Sequence, residues 1–77
     1  PVLAVPEEAV QELDGKKLLF VTENGTEFER RPVVLGRAAD GMVEVTGGLK
    51  EGERYAVKGG FVLKSEVKKG ELEGHNH

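Results

Sequence analysis

The chain has no cysteine and no tryptophan, a single tyrosine, and no apolar run approaching the length of a membrane span. Without cysteine there is neither a disulfide framework nor a thiolate metal site. The longest apolar runs, Leu18-Leu19-Phe20-Val21 and Pro32-Val33-Val34-Leu35, are far short of the roughly 20 residues that cross a bilayer. The sole serine is Ser65, and both histidines, His75 and His77, fall in the last three residues. No set of nucleophile, base and orienting group can be assembled from such a sequence, so the reading is non-enzymatic. Eleven Lys and Arg are interspersed with fourteen Asp and Glu, for a net charge of -3. With no basic stripe and few aromatic rings for stacking, nucleic acid is excluded as the partner.

What is present is 38% hydrophobic and 32% charged residues in a chain of 77, the balance of one small globular unit with a limited core. Pro1 in place of Met, with no leader sequence behind it, is read as the mark of a fragment. Turn signals are dense. Asp14-Gly15, Asn24-Gly25 and Asp40-Gly41 are dipeptides that supply the positive φ of two-residue hairpin loops. Strands are expected on either side, over residues 10–13, 17–22, 27–35, 33–37 and 42–46, as an antiparallel meander.

Alternation assigns faces. Val43 and Val45 oppose Met42, Glu44 and Thr46, and Tyr55 and Val57 oppose Arg54, Ala56 and Lys58, the period of half-buried strands. Residues 18–21 are apolar on both faces, which calls for cover on both sides, as in a closed roll or small barrel. Pro32 lacks an amide donor and marks an edge or bulge. The fold class is therefore all-β, a small antiparallel barrel or roll of five to six strands over residues 1–67. Gly15, Gly25, Gly41, Gly48, Gly52 and Gly59 are its turn residues. Pro6-Glu7-Glu8-Ala9-Val10 has the composition of a single helical turn. The charged stretch from Lys64 onward reads as a solvated end, with residues 68–77 a flexible tail.

Few residues suggest chemistry. Gly47-Gly48 and Gly59-Gly60 lack the order and the following helix of a phosphate loop. His75 and His77 are a weak candidate ligand pair for Zn, Cu or Ni, short of a full coordination set. Lys16-Lys17 and Lys68-Lys69 have acids close by and read as solvated surface rather than lipid contacts.

The order of these pieces resembles a family. Val5-Pro6 with Ala9-Val10, then Leu19-Phe20-Val21, is similar to the entry to the last domain of membrane-fusion (periplasmic adaptor) proteins. Phe28, Arg31, Val33 and Gly36 follow as in that family's next strand. Val43-Glu44-Val45, Gly48-Leu49, Gly52-Glu53, and Val57 with Gly59-Gly60 and residues 61–66 resemble the ending of its heavy-metal (cobalt-zinc-cadmium type) branch. The match runs over residues 2–67; Tyr55-Ala56 stands where two valines are usual.

The resemblance implies a small β domain next to the inner membrane, in the periplasm, preceded in the full protein by hairpin, lipoyl-like and barrel domains. An N-terminal strand that usually completes this domain is expected to be missing, leaving an open edge. The implied role is docking onto a resistance-nodulation-division transporter, beside other adaptor protomers, and bridging toward an outer-membrane channel. It is a place close to the membrane without spanning it. Arg30, Arg31, Arg37, Lys50, Glu51 and Arg54 are the candidate partner contacts, arginine being favoured at interfaces for its planar fork of donors. The alternative is a periplasmic metal-binding or chaperone domain that delivers ions to the pump, through His75 and His77.

Overall fold

A computed structural model describes residues 2–67. Nine short strands form two antiparallel sheets: β1 (Leu3–Pro6), β2 (Gln11–Leu13), β3 (Lys16–Thr22), β4 (Phe28–Pro32), β5 (Val34–Ala39), β6 (Met42–Gly47), β7 (Arg54–Val57), β8 (Phe61–Lys64) and β9 (Glu66–Val67). One sheet has the order β5-β6-β1-β9; the other runs β2-β3-β7-β8, with β4 also paired to β3. The architecture is all-β and antiparallel, as the turn spacing implies. The sheets do not close into a barrel, so a roll describes the fold.

Two hairpins follow their turn dipeptides. Asp14 and Gly15, at φ 54° and 79°, join β2 to β3, and Asp40 and Gly41, at 56° and 80°, join β5 to β6. Both central residues have positive φ, the type I′ geometry whose twist matches that of the strands. The Asn24-Gly25 connection departs from the expected two-residue loop. Asn24 Oδ1 accepts the amides of Thr26 (2.8 Å) and Glu27 (2.9 Å), and Thr22 Oγ1 accepts the amide of Gly25 (2.8 Å). Side-chain oxygens take the place of backbone partners, and the loop widens to residues 23–27.

Three further expectations are corrected. The overlapping strands expected over residues 27–35 and 33–37 are two separate strands divided at Val33: β4 pairs with β3 while β5 pairs with β6, so the chain changes sheets just after Pro32 and the simple meander ends. Proline at the end of a strand on the sheet margin removes no ladder donor, and the break falls there. The stretch from Lys64 is not a loose end as far as Val67, because Lys64 belongs to β8, Ser65 is buried, and β9 pairs with β1. Residues 3–6, given no strand in the sequence reading, form β1 between β6 and β9. The suspected helical turn is one turn of 3₁₀ helix, Glu7–Ala9, with Pro6 at its N-cap.

The core lies between the sheets and gathers Leu3, Val5, Ala9, Leu19, Val21, Val43, Val45 and Tyr55. Val43, Val45 and Tyr55 are the inward residues that alternation selects. β3 is the central strand. Leu18 is matched to Gln11 on one side and Pro32 on the other, and Val21 to Tyr55 and Glu29. Leu19 and Val21 face the core; Leu18 and Thr22, on the opposite face of the strand, are buried as well.

Candidate functional site

An open groove runs between the 23–27 loop and residues 50–54; Phe28, Glu29 and Arg31 of β4 also line it. It brings together four of the six candidate contacts, Arg31, Lys50, Glu51 and Arg54. The other two lie elsewhere. Arg30 is exposed on the opposite face of β4, and Arg37 sits on β5 in the other sheet.

Arg31 is committed within the chain. Its Nη2 is 3.0 Å and its Nε 3.2 Å from Glu29 Oε2, while Nη1 donates to Glu53 Oε1 (3.1 Å) and to the Gly48 carbonyl (3.2 Å). The planar guanidinium thereby ties β4 to both ends of the 48–53 segment. The hydrogen bond to Glu29, helped by the one to Glu53 and by the charge of both carboxylates, holds the guanidinium above its ordinary pKa, partly offset by burial.

The 48–53 segment is fixed from several directions. Glu53 Oε1 accepts the Lys50 amide (2.9 Å), and the Glu53 amide donates to the Lys50 carbonyl (3.1 Å). The Ser65 hydroxyl donates to the same Lys50 carbonyl, and the Ser65 amide donates to the Glu53 carbonyl (2.7 Å). Gly48 is an obligatory glycine: its φ is +94°, and a Cβ would stand 2.4 Å from the Pro32 carbonyl oxygen. The tip of the segment, Lys50 and Glu51, is exposed. The arrangement presents a surface segment braced by several hydrogen bonds, with its charged tip exposed.

Arg54 is held at the groove's other wall by a hydrogen bond to the Glu23 carbonyl. Arg37 lies in a bulge where β5 slips against β6; its amide donates to Glu44 Oε1 (3.2 Å). Sequence reasoning did not single out Glu29, Glu53 or Ser65 as organisers of this surface. Only the Arg31/Glu29 spacing, two residues apart on one strand face, offered a local signal for any of them. His75 and His77 lie outside the described residues. Among the described residues no cluster of three His, Asp or Glu could hold a metal ion, and no helix is long and apolar enough to cross a membrane.

Residues 3–64 match the family model of the CzcB C-terminal circularly permuted SH3-like domain. The chain belongs to this family. The CzcB-type domain here is similar to the nickel and cobalt resistance protein CnrB of Cupriavidus metallidurans, 42% identical over 88% of this chain and 17% of the relative. It is also similar to the cobalt-zinc-cadmium resistance protein CzcB of the same organism, 43% identical over 97% of this chain and 14% of the relative. A third relative is the nickel-cobalt-cadmium resistance protein NccB of Alcaligenes xylosoxydans xylosoxydans, at 38% over 87% of the chain and 17% of the relative. This CzcB-type domain thus spans less than a fifth of the length of these relatives. No solved structure matches it.

Proposed function

We propose that this CzcB-type domain is a non-catalytic docking module of a periplasmic adaptor for heavy-metal cation export. In this reading the adaptor sits at the inner membrane and links an efflux transporter there to an outer-membrane channel, with other adaptor protomers beside it. The observation that carries the proposal is the family match over residues 3–64, together with relatives named for resistance to cobalt, zinc, cadmium and nickel and for cation efflux. The braced 48–53 segment supports it physically: a preorganised loop loses little conformational entropy on binding. Lys50 and Glu51 at its tip, Arg54 on the groove wall, and Arg30 and Arg37 on other surfaces are the contacts to the pump. Arg31 serves by holding the segment in place.

The test is cross-linking of the full adaptor to its transporter, with metal resistance measured in parallel. Charge reversal at Lys50, Glu51 and Arg54 together is expected to weaken both. Unchanged complex formation and unchanged resistance would remove the docking role from these residues.

A further inference from the structure

The register of the β2-β3-β7-β8 sheet sorts its charges by face. Directly paired residues on antiparallel strands share a face, and so do alternate residues along each strand. Thr22 is matched to Phe28 and to Arg54, Arg54 to Lys64, Phe20 to Arg30, Leu18 to Gln11 and to Pro32, and Leu13 to Lys16. One face therefore carries Lys16, Arg30, Arg54 and Lys64, and no acidic residue of these strands. The other carries Leu19, Val21 and Tyr55 toward the core, and its charges are paired: Lys17 with Glu12 at 2.9 Å and Arg31 with Glu29 at 3.0 Å.

The adjacent lysines 16 and 17 are thus separated to opposite sides, one ion-paired and the other not. Among the described residues none of the four cations of the first face forms an ion pair. Arg54 donates to the Glu23 carbonyl, which leaves its charge uncompensated. Arg54 and Lys64 stand directly opposite each other, an arrangement that costs stability in isolation. The acids Asp14, Glu23 and Glu27 lie only in the turns that border this face. In a chain of net charge -3, four cations on one sheet face are a segregation, and they fix orientation toward an anionic partner rather than overall attraction.

We infer that this face rests on an anionic phospholipid surface. The apolar groups among the cations favour lipid over an acidic protein. Phe28 is 42% exposed and Leu13 43%, and Phe20 is half-buried between them and the cations. A bilayer interface accepts both kinds of group at once, phosphates for the cations and the glycerol boundary for the rings. The inference deepens the membrane-proximal part of the proposed function: it moves Arg30 from the pump to the lipid, places Phe28 and Arg54 at the border of groove and lipid face, and leaves Lys50 and Glu51 for the pump.

The test is co-sedimentation of the chain with phosphatidylcholine vesicles, with and without phosphatidylglycerol, across a salt series. Binding is expected only with phosphatidylglycerol and is expected to fall with salt. Lys16→Gln is expected to weaken it roughly fivefold and Lys17→Gln at most about twofold, since each cation at an anionic surface contributes about that factor. The double variant Lys16→Gln, Lys64→Gln, which touches none of the proposed pump contacts, is expected to lose about twenty-five-fold. Circular dichroism confirms that each variant is folded. Equal losses for Lys16→Gln and Lys17→Gln, equal binding to both vesicle types, or no vesicle binding would overturn the inference. So would loss of transporter cross-linking, rather than vesicle binding, in the double variant, which would assign the face to an acidic protein. Failure of vesicle binding with the transporter complex intact would leave the docking proposal standing.

Discussion

Ser65 is 1% exposed, and its hydroxyl donates to the carbonyl of Lys50 at 2.6 Å, fifteen residues earlier in the chain. This bond joins the end of β8 to the middle of the 48–53 segment. Replacing Ser65 with Ala leaves that carbonyl with the Glu53 amide as its one remaining donor. The expected cost is about 1–2 kcal/mol, read as a lower urea midpoint with an unchanged slope.

Gly48 and Gly15 share a positive φ but differ in surroundings. A Cβ at Gly15 meets nothing within 4 Å, whereas at Gly48 it would press on the Pro32 carbonyl. Gly15→Ala is expected to cost about 1 kcal/mol, the strain of an L-residue in that backbone region. Gly48→Ala adds a backbone clash and is expected to cost about 3 kcal/mol or more. Thermal unfolding of the two variants ranks them, and equal midpoints would refute the packing argument.

The Arg31–Glu53 pair is partly exposed on both sides, 28% and 29%, so screening limits what it contributes. A double-mutant cycle with Arg31→Lys and Glu53→Gln is expected to give a coupling of about 0.5 kcal/mol, reduced by salt. Lysine keeps the charge but cannot reach Glu29, Glu53 and the Gly48 carbonyl at once. A coupling indistinguishable from zero would mean that the segment is held without this ion pair, by its backbone bonds and the Ser65 hydroxyl.

Burial raises the pKa of the Tyr55 phenol above its ordinary value of 10.0, and the charge of Glu66 adds to the effect. Above that ordinary value the unfolded chain releases the phenolic proton while the folded chain keeps it. The Tyr55 contribution to stability is therefore complete below pH 10 and is lost as pH rises through the raised folded pKa. Tyr55→Phe is expected to remove this part of the alkaline decline, measured as the difference in denaturant midpoints between the two proteins across that range.

Local signals made some of this molecule legible in advance. Asp14-Gly15 and Asp40-Gly41 set their hairpins because two adjacent positive-φ residues allow little else, and alternation placed Val43, Val45 and Tyr55 inside. β1 and β9 were not legible. Their four and two residues carry no turn signal, and Leu3 finds its partners at Val45 and Val67, far along the chain. Ser65 sits among charged neighbours and is buried only because residues 50–53 fold over it. Arg31 was visible as a candidate contact. That Glu53, 22 residues away, already occupies it depends on the chain crossing between sheets at Val33.

Leu3 of β1 lies opposite Val67 of β9, in antiparallel register. Residues leading into the domain and residues leading out of it meet at one corner. A pull applied between these two points would peel β9 from β1 one rung at a time, since the load falls on the outermost hydrogen bond rather than on all of them together. Tension transmitted through this corner would be released at that seam first, with the Leu19–Val43–Tyr55 core still intact.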